Sequence, residues 1–298
     1  GGIPVIKAIR QGLAANRLVE IVGILNGTCN YILTRMEAER APFDEVLAEA
    51  QRLGYAEADP GLDVDGIDTA HKAVILAALA YGEWFGMAPC YLEGIRGIAL
   101  QDIEYAKALG YRIKLLAVVK QQEGNVQIRV HPALVRSHSM LGNVSDVFNA
   151  VWVRGDTVGG TLYYGRGAGR DATASAVVAD LIDIGLNLKR NAVSRISAFR
   201  PHKAYDTITP MEDVEVRYYL RLQAVDRPGV LAAISGILGD ANISIASVAQ
   251  HEADQRSVPV VILTHKAREK DLRNALTKVA ALPDITDAPV LIRIEDMA

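Results

Sequence analysis

The chain has 298 residues, half of them hydrophobic and 22% charged, with 11 Pro against 25 Gly; this excludes a disordered or collagen-like chain and leaves room for about two domains. Lys and Arg number 32 and Asp and Glu 35, a formal charge of -3, which excludes the broad basic field that nucleic acid or an anionic membrane needs. Cys29 and Cys90 stand far apart and match neither a metal spacing nor a disulfide framework; with no signal peptide and no apolar run of membrane length, a cytoplasmic protein is expected.

The chain opens Gly1-Gly2-Ile3-Pro4 without an initiator methionine, and Ile3, Ile6, Ile9 and Leu13 already keep a helical apolar stripe, so it reads as a stretch of a longer protein. Glu20 to Leu25 is a short buried strand, and Asn26-Gly27-Thr28 is a turn that caps a helix through Tyr31, Ile32 and Met36. A second helix from about Phe43 to Leu53 stops at Gly54. Tyr55 to Gly66 is a loop rich in Asp, Pro and Gly, and a third helix, expected to be the longest, runs from about Ile67 to Trp84.

The period then changes. Gly94 to Ala99 is strand-like, Asp102 to Leu109 helical, and Arg112 to Lys120 and Val126 to His131 are strands joined through Glu123-Gly124-Asn125. Val147 to Val153 and Thr157 to Tyr164 continue the sheet across a Gly155-Asp156 turn, and an alanine-rich helix follows from about Thr173 to Ile184. The pattern predicts an α+β layer, a mixed or antiparallel sheet with helices on one side, over residues 1–185. That sheet is expected to expose a large apolar face between Arg112 and Tyr164 in a single copy, which calls for an oligomer. Residues 186–213, aperiodic and containing Pro201 and Pro210, read as a linker. Residues 214–298 follow as a separate ferredoxin-like β-α-β-β-α-β unit: strands at Arg217 to Val225, Ile243 to Val248, Pro259 to Leu263 and Val290 to Ile294, with helices after Pro228 and from Glu269 to Ala281.

The densest chemistry lies between Tyr55 and Lys72, where Glu57, Asp59, Asp63, Asp65 and Asp68 crowd five carboxylates before one lysine. Asp68 and Lys72 are four apart on a helix and share a face, an arrangement that also describes an ordinary surface ion pair. A calcium loop is not supported, because Asp59 to Asp68 lacks the twelve-residue ligand order ending in Glu. Gly27-Thr28 can cradle a carboxylate with backbone N-H groups and a hydroxyl, or simply cap the helix. His71 points to another face than Lys72, and His138 between Ser137 and Ser139 lacks a nucleophile elbow. Gly165-Arg166-Gly167-Ala168-Gly169 follows a strand and precedes a helix, but Arg170 breaks the dinucleotide fingerprint and no acidic residue follows on a second parallel strand. In the C-terminal unit, Asp226-Arg227-Pro228-Gly229-Val230-Leu231 with Asn242-Ile243-Ser244 places a turn at a helix start, which either holds an amino-acid carboxylate or is purely structural.

The stretches Gly23-Ile24-Leu25-Asn26-Gly27-Thr28, Leu53-Gly54-Tyr55-Ala56-Glu57-Ala58-Asp59-Pro60 and Asp63-Val64-Asp65-Gly66-Ile67-Asp68-Thr69-Ala70-His71-Lys72 resemble homoserine dehydrogenase, as do Gly167-Ala168-Gly169 and Thr173-Ala174-Ser175-Ala176. The tail resembles an ACT domain. The resemblance implies a dihydrodipicolinate-reductase-like catalytic domain and the NAD- or NADP-dependent interconversion of L-homoserine and L-aspartate 4-semialdehyde, in the biosynthesis of threonine, isoleucine and methionine. It implies Lys72 as acid/base with Asp68 orienting it, Glu57 on the substrate amino group, and Asp63, Gly27, Thr28 and Tyr55 around the substrate. Gly167, Ala168 and Gly169 would then touch the cofactor, and Asp226, Gly229, Val230, Leu231, Asn242 and Ile243 an effector such as threonine. No metal ligand is implied within the chain. The family's Rossmann motif and a second lysine would lie ahead of Gly1, so this stretch alone is expected to bind NAD(P) weakly and turn over little. The reading from a different class is a non-catalytic amino-acid-sensing and assembly fragment.

Overall fold

A helical turn at Val5–Lys7, widened to π geometry over Ala8–Gly12, buries Ile9 and Leu13 of the N-terminal stripe and leads to β1 (Leu18–Ile24). The protein is seen in a computed structural model that describes residues 1–192, 200–201, 207–250 and 257–296. Helix α1 (Gly27–Glu39) begins where the Asn26 side-chain oxygen accepts the Cys29 N-H at 2.8 Å, which satisfies an orphan donor of the first turn. Helix α2 (Phe43–Arg52) is followed by Gly54 at φ +78°, and α3 (Ile67–Tyr81) stops at Gly82, φ +75°. The third helix is thus shorter than expected, and Glu83–Trp84 pairs with Arg200–Pro201 instead. Gly94 to Ala99 is not a strand. The extended residues are Tyr91–Leu92, and the chain then bends so that Ile95 N-H donates to Val64 O at 2.8 Å.

Helix α4 (Leu100–Ala108) precedes the hairpin of β2 (Tyr111–Gln122) and β3 (Asn125–Arg136), whose turn residues Glu123 and Gly124 both have positive φ, as the twist of a tight hairpin requires. Strands β4 (Phe148–Gly155) and β5 (Gly159–Arg166) follow, and then the longest helix among the described residues, α5 (Arg170–Lys189). That helix runs past Ile184 into the stretch read as linker, of which residues 193–199 and 202–206 lie outside the described residues. The C-terminal order is β6 (Glu215–Val225), α6 (Val230–Asp240), β7 (Ile245–Gln250), β8 (Ser257–Thr264), α7 (Glu269–Ala280) and β9 (Val290–Ile294). This is the expected β-α-β-β-α-β unit.

The two regions share one sheet, in the order β7-β8-β6-β9-β3-β2-β1-β4-β5. Every neighbouring pair is antiparallel except β9 and β3, where Arg293 faces Ala133 and Ile294 faces Leu134 in parallel register. The C-terminal unit therefore extends the first sheet rather than standing apart from it. Ile21, Ile32, Met36 and Ala73 form the core between one face and the helices. The other face was expected to be exposed, yet Val22, Leu116, Val118 and Val135 are fully buried there, in one cluster with Leu141 and Val144 of the loop before β4. The chain closes that face itself, so the face does not by itself call for a second copy. Apolar residues left in water include a group on α5, where Val177, Val178, Leu181 and Ile182 are all exposed.

Charged side chains pack at the junction of the two regions. Asp102, on α4, accepts from Arg221 at 2.6 and 3.0 Å and from the Tyr219 hydroxyl at 3.0 Å. Arg293, at the junction strand β9, donates to Glu269 at 2.5 and 3.0 Å and to Glu93 at 2.7 Å. Glu295 pairs with Arg129 and lies 3.4 Å from Lys120. Burial first, then the neighbouring Arg293 and Arg129, holds His131 well below the ordinary histidine range, so it is neutral. Its Nε2 accepts from Arg129 at 2.8 Å, which leaves Nδ1-H to donate to Pro132 O at 2.9 Å.

Candidate active site

The C-terminal end of β1, the start of α1, the loop 55–66 and the first turns of α3 meet at Lys72. Its Nζ donates to Asp68 Oδ2 at 2.6 Å and to Leu25 O at 3.0 Å. An ammonium has three N-H donors, so one remains for a ligand. The pair is half-exposed, as a surface ion pair would be, but Lys72 also lines a cavity of about 490 Å³ together with Leu25, Asn149 and Gly167. Spacing alone leaves both readings open, and the cavity adds a space in which a ligand could meet the ammonium.

Asn26 organises the carboxylates. Its Nδ2 donates to Asp63 Oδ1 at 2.7 Å and to Asp68 Oδ2 at 2.8 Å, while its oxygen caps α1. The five-carboxylate crowd thereby divides. Asp63 and Asp68 converge on Asn26, Asp65 is held by Arg96 at 2.5 Å, Asp59 accepts from Gly61 N-H at 3.2 Å, and Glu57 is exposed. Thr28 donates its hydroxyl proton to Tyr55 O at 2.8 Å. The hydroxyl thus anchors the loop rather than donating to a ligand, and the anion donors left at Gly27-Thr28 are the backbone N-H groups. The Tyr55 ring sits 4.7 Å from that of Tyr31 and is itself exposed. His71 is exposed. The Cys29 thiol, which donates to Asp63 O at 3.1 Å, is pushed well up by burial and then by Asp63 and Asp68, so it is no nucleophile.

Within the stretch expected as loop, Gly61–Val64 forms a helical turn, held from behind by Gly94, where a Cβ would lie 2.2 Å from Val64 O and 2.5 Å from Asp65 Cα. Both neighbours are backbone and cannot swing away. Gly94→Ala is expected to lose about 1–3 kcal/mol by overpacking and to raise the Michaelis constant of any ligand held by Asp63. Urea unfolding and saturation kinetics measure the two effects, and a wild-type midpoint would remove the argument.

Of the glycine-rich loop, Gly167 lines the cavity, whereas Ala168 and Gly169 are exposed and turn the chain into α5, with Gly169 at φ +115°. Gly1 and Gly2 form another part of the wall, and Gly2 N-H donates to Gly167 O at 3.0 Å. A Cβ on Gly2 would meet Arg166 O at 2.5 Å, and one on Gly167 would meet Asn149 Oδ1 at 2.3 Å. Ile3, Pro4, Leu25 and Ala176 are also in the wall, which is mostly apolar and carries Lys72, Lys7 and Asp180 as its charged members. A flat nicotinamide ring fits that description. Asn26, Asn149, Gly1 and Gly2 were missing from the residues read as functional. The polar Asn149 between the apolar Phe148 and the apolar run Ala150 to Val153 was the signal available.

In the C-terminal unit, Gly229 at φ +92° opens α6, and Asp226 Oδ1 accepts from Gln250 Nε2 at 3.2 Å. Leu231 and Asn242 are exposed, whereas the side chains of Val230 and Ile243 lie in the domain core, so those two can reach a ligand only through their backbone.

Residues 4–182 match the homoserine dehydrogenase family and residues 218–284 the ACT domain family. The chain is 48% identical to a homoserine dehydrogenase of Pseudomonas aeruginosa, over all of this chain and 70% of that protein. It is 47% identical to that of Neisseria gonorrhoeae, over all of this chain and 69% of that protein. Among solved structures, a homoserine dehydrogenase of Thiobacillus denitrificans superposes with a TM-score of 0.91 at 47% identity, over 99% of this chain and 68% of that one. A hyperthermophilic archaeal homoserine dehydrogenase in complex with NADPH superposes with a TM-score of 0.54 at 32% identity, over 62% of this chain and 53% of that one.

Proposed function

Because the chain belongs to the homoserine dehydrogenase family, an oxidoreductase family, we propose that Lys72 is its proton-transfer residue and that the cavity beside it takes the nicotinamide end of NAD or NADP. The observation that carries this reading is the lysine with two donors engaged and one left, in the wall of a cavity also lined by Gly2 and Gly167. A bound nicotinamide supplies or accepts the hydride. The chain's own groups do the rest. When L-homoserine is oxidised, its hydroxyl proton passes to neutral Lys72 as hydride leaves the same carbon; in the reverse direction the ammonium returns that proton to the aldehyde oxygen, on which negative charge builds. Asp68 and Leu25 O hold Nζ, and Asn26 holds Asp68.

Glu57 and Asp63 are proposed to bind the substrate ammonium, with Tyr55 and the N-H groups of Gly27 and Thr28 around its carboxylate. Glu57→Gln in the full-length enzyme is expected to lower kcat/KM for homoserine about 10- to 100-fold, the value of one hydrogen bond to a charged group. Steady-state assays of reduced nicotinamide measure it; an unchanged ratio removes Glu57 from the site. The same reading places the enzyme in threonine, isoleucine and methionine biosynthesis and divides the chain into residues 1–185, a linker over 186–213, and 214–298. It gives the last region an amino-acid effector such as threonine at Asp226 to Leu231 and Asn242, measured by calorimetry. Burial of the apolar residues on α5 by further protein is consistent with a homodimer or homotetramer, which sedimentation measures. Among the described residues no helix is long and apolar enough to cross a membrane.

A further inference from the structure

Asn149 lies on β4 at 5% exposure, lines the cavity, and joins two segments through its amide. Nδ2 donates to Ile24 O at 3.0 Å, and Oδ1 accepts the Gly167 N-H at 3.2 Å. The orientation of the amide is fixed by its partners, since a carbonyl only accepts and a backbone N-H only donates. Each partner leads directly to one side of the chemistry. The residue after Ile24 is Leu25, whose carbonyl holds Lys72 Nζ at 3.0 Å. Gly167 in turn accepts Gly2 N-H at 3.0 Å. The approach is tight on the Gly167 side and ordinary at Gly27. A Cβ on Gly167 would lie 2.3 Å from Asn149 Oδ1, and one on Gly27 would lie 3.7 Å from the same atom.

We infer that Asn149 is a positioning residue for hydride transfer: its buried amide sets the spacing between the strand end that holds the proton-transfer lysine and the glycine loop on the nicotinamide side. The inference rests on the reading of Lys72 and the cavity given above. Its physical basis is that hydride transfer demands near-contact geometry, so that a displacement of about 1 Å costs up to about 100-fold in rate. A carboxamide donates from one terminal atom and accepts at the other, so a single side chain can serve both partners. Aspartate can accept from Gly167 but repels Ile24 O, and leucine, of similar shape, does neither.

The test compares Asn149→Leu and Asn149→Asp. In the protein without ligands, amide exchange at Gly167 is expected to accelerate about tenfold or more in Asn149→Leu, through loss of its acceptor, and to stay slow in Asn149→Asp. In the full-length enzyme both variants are expected to lose about 10- to 100-fold in kcat, with KM for homoserine within about threefold of wild type. The isotope effect on kcat with homoserine deuterated at the carbinol carbon should rise, because hydride transfer becomes the slow step. A folded variant with wild-type kcat would overturn the inference, and so would a lowered kcat with an unchanged isotope effect, which marks a structural role alone. Should Asn149→Leu fail to fold, Asn149→Asp carries the kinetic test by itself. Failure of the underlying reading looks different: Lys72→Met would retain turnover.

Discussion

Lys72→Met in the full-length enzyme is expected to lower kcat about 1,000-fold, the middle of the range for a positioned proton-transfer group, while KM for homoserine changes by no more than a few-fold. The physical reason is local. Hydride arrival at the aldehyde carbon builds charge on oxygen, and Lys72, held by Asp68 Oδ2 at 2.6 Å and Leu25 O at 3.0 Å, has one N-H free to neutralise it. Lys72→Arg sharpens the test, because a guanidinium keeps the charge and the bond to Asp68 but cannot give up its proton in the working range. Loss of kcat in both variants assigns proton transfer; recovery in Lys72→Arg would leave only charge stabilisation. Retained turnover in Lys72→Met would move the chemistry elsewhere.

Glu295→Gln is expected to destabilise the protein by about 3–5 kcal/mol near neutral pH, the cost of leaving buried cations without their partner. Burial alone would raise the pKa of this carboxyl, but Arg129 first, then Lys120, hold it down at about 2. The sign follows from that depression. The unfolded chain titrates this group near pH 4.3, so its contribution is complete above that value and is lost as pH falls through about 2. The urea midpoint of wild type should therefore exceed that of Glu295→Gln at neutral pH, and the gap should close as the pH is lowered from about 4.3 towards 2. A gap that persists undiminished in acid would mean that the glutamine is misfitted rather than uncharged. Because Glu295 N-H also donates to Leu134 O at 3.0 Å across the parallel β9–β3 pairing, the loss should appear first at the junction of the two regions, as faster amide exchange in β9.

Lys114 is a lysine to which the sequence reading gave no role. Burial pushes it down to about 8, and its Nζ is engaged by Val144 O at 2.6 Å and Asn30 Oδ1 at 3.0 Å. It ties the loop before β4 to α1, away from the cavity. Periodicity placed it on an apolar strand but could not say that a cation there would find two oxygens.

The sequence by itself determined what depends on near neighbours. Apolar spacing set the helices and Gly54 the end of one of them, alternation set Arg217 to Val225, and Asp68 four residues before Lys72 set their contact. The family motifs located the candidate site because their order and spacing are written along the chain. Only the tertiary structure decided what depends on residues far apart. It made one sheet of the two regions through β9 and β3, and it closed with Leu141 and Val144 a face expected to be exposed. It also put Asn149 between Ile24 and Gly167, and gave Glu295 a partner 166 residues away in Arg129. A buried polar side chain is tolerated only where distant groups satisfy it, and local pattern carries no record of those partners.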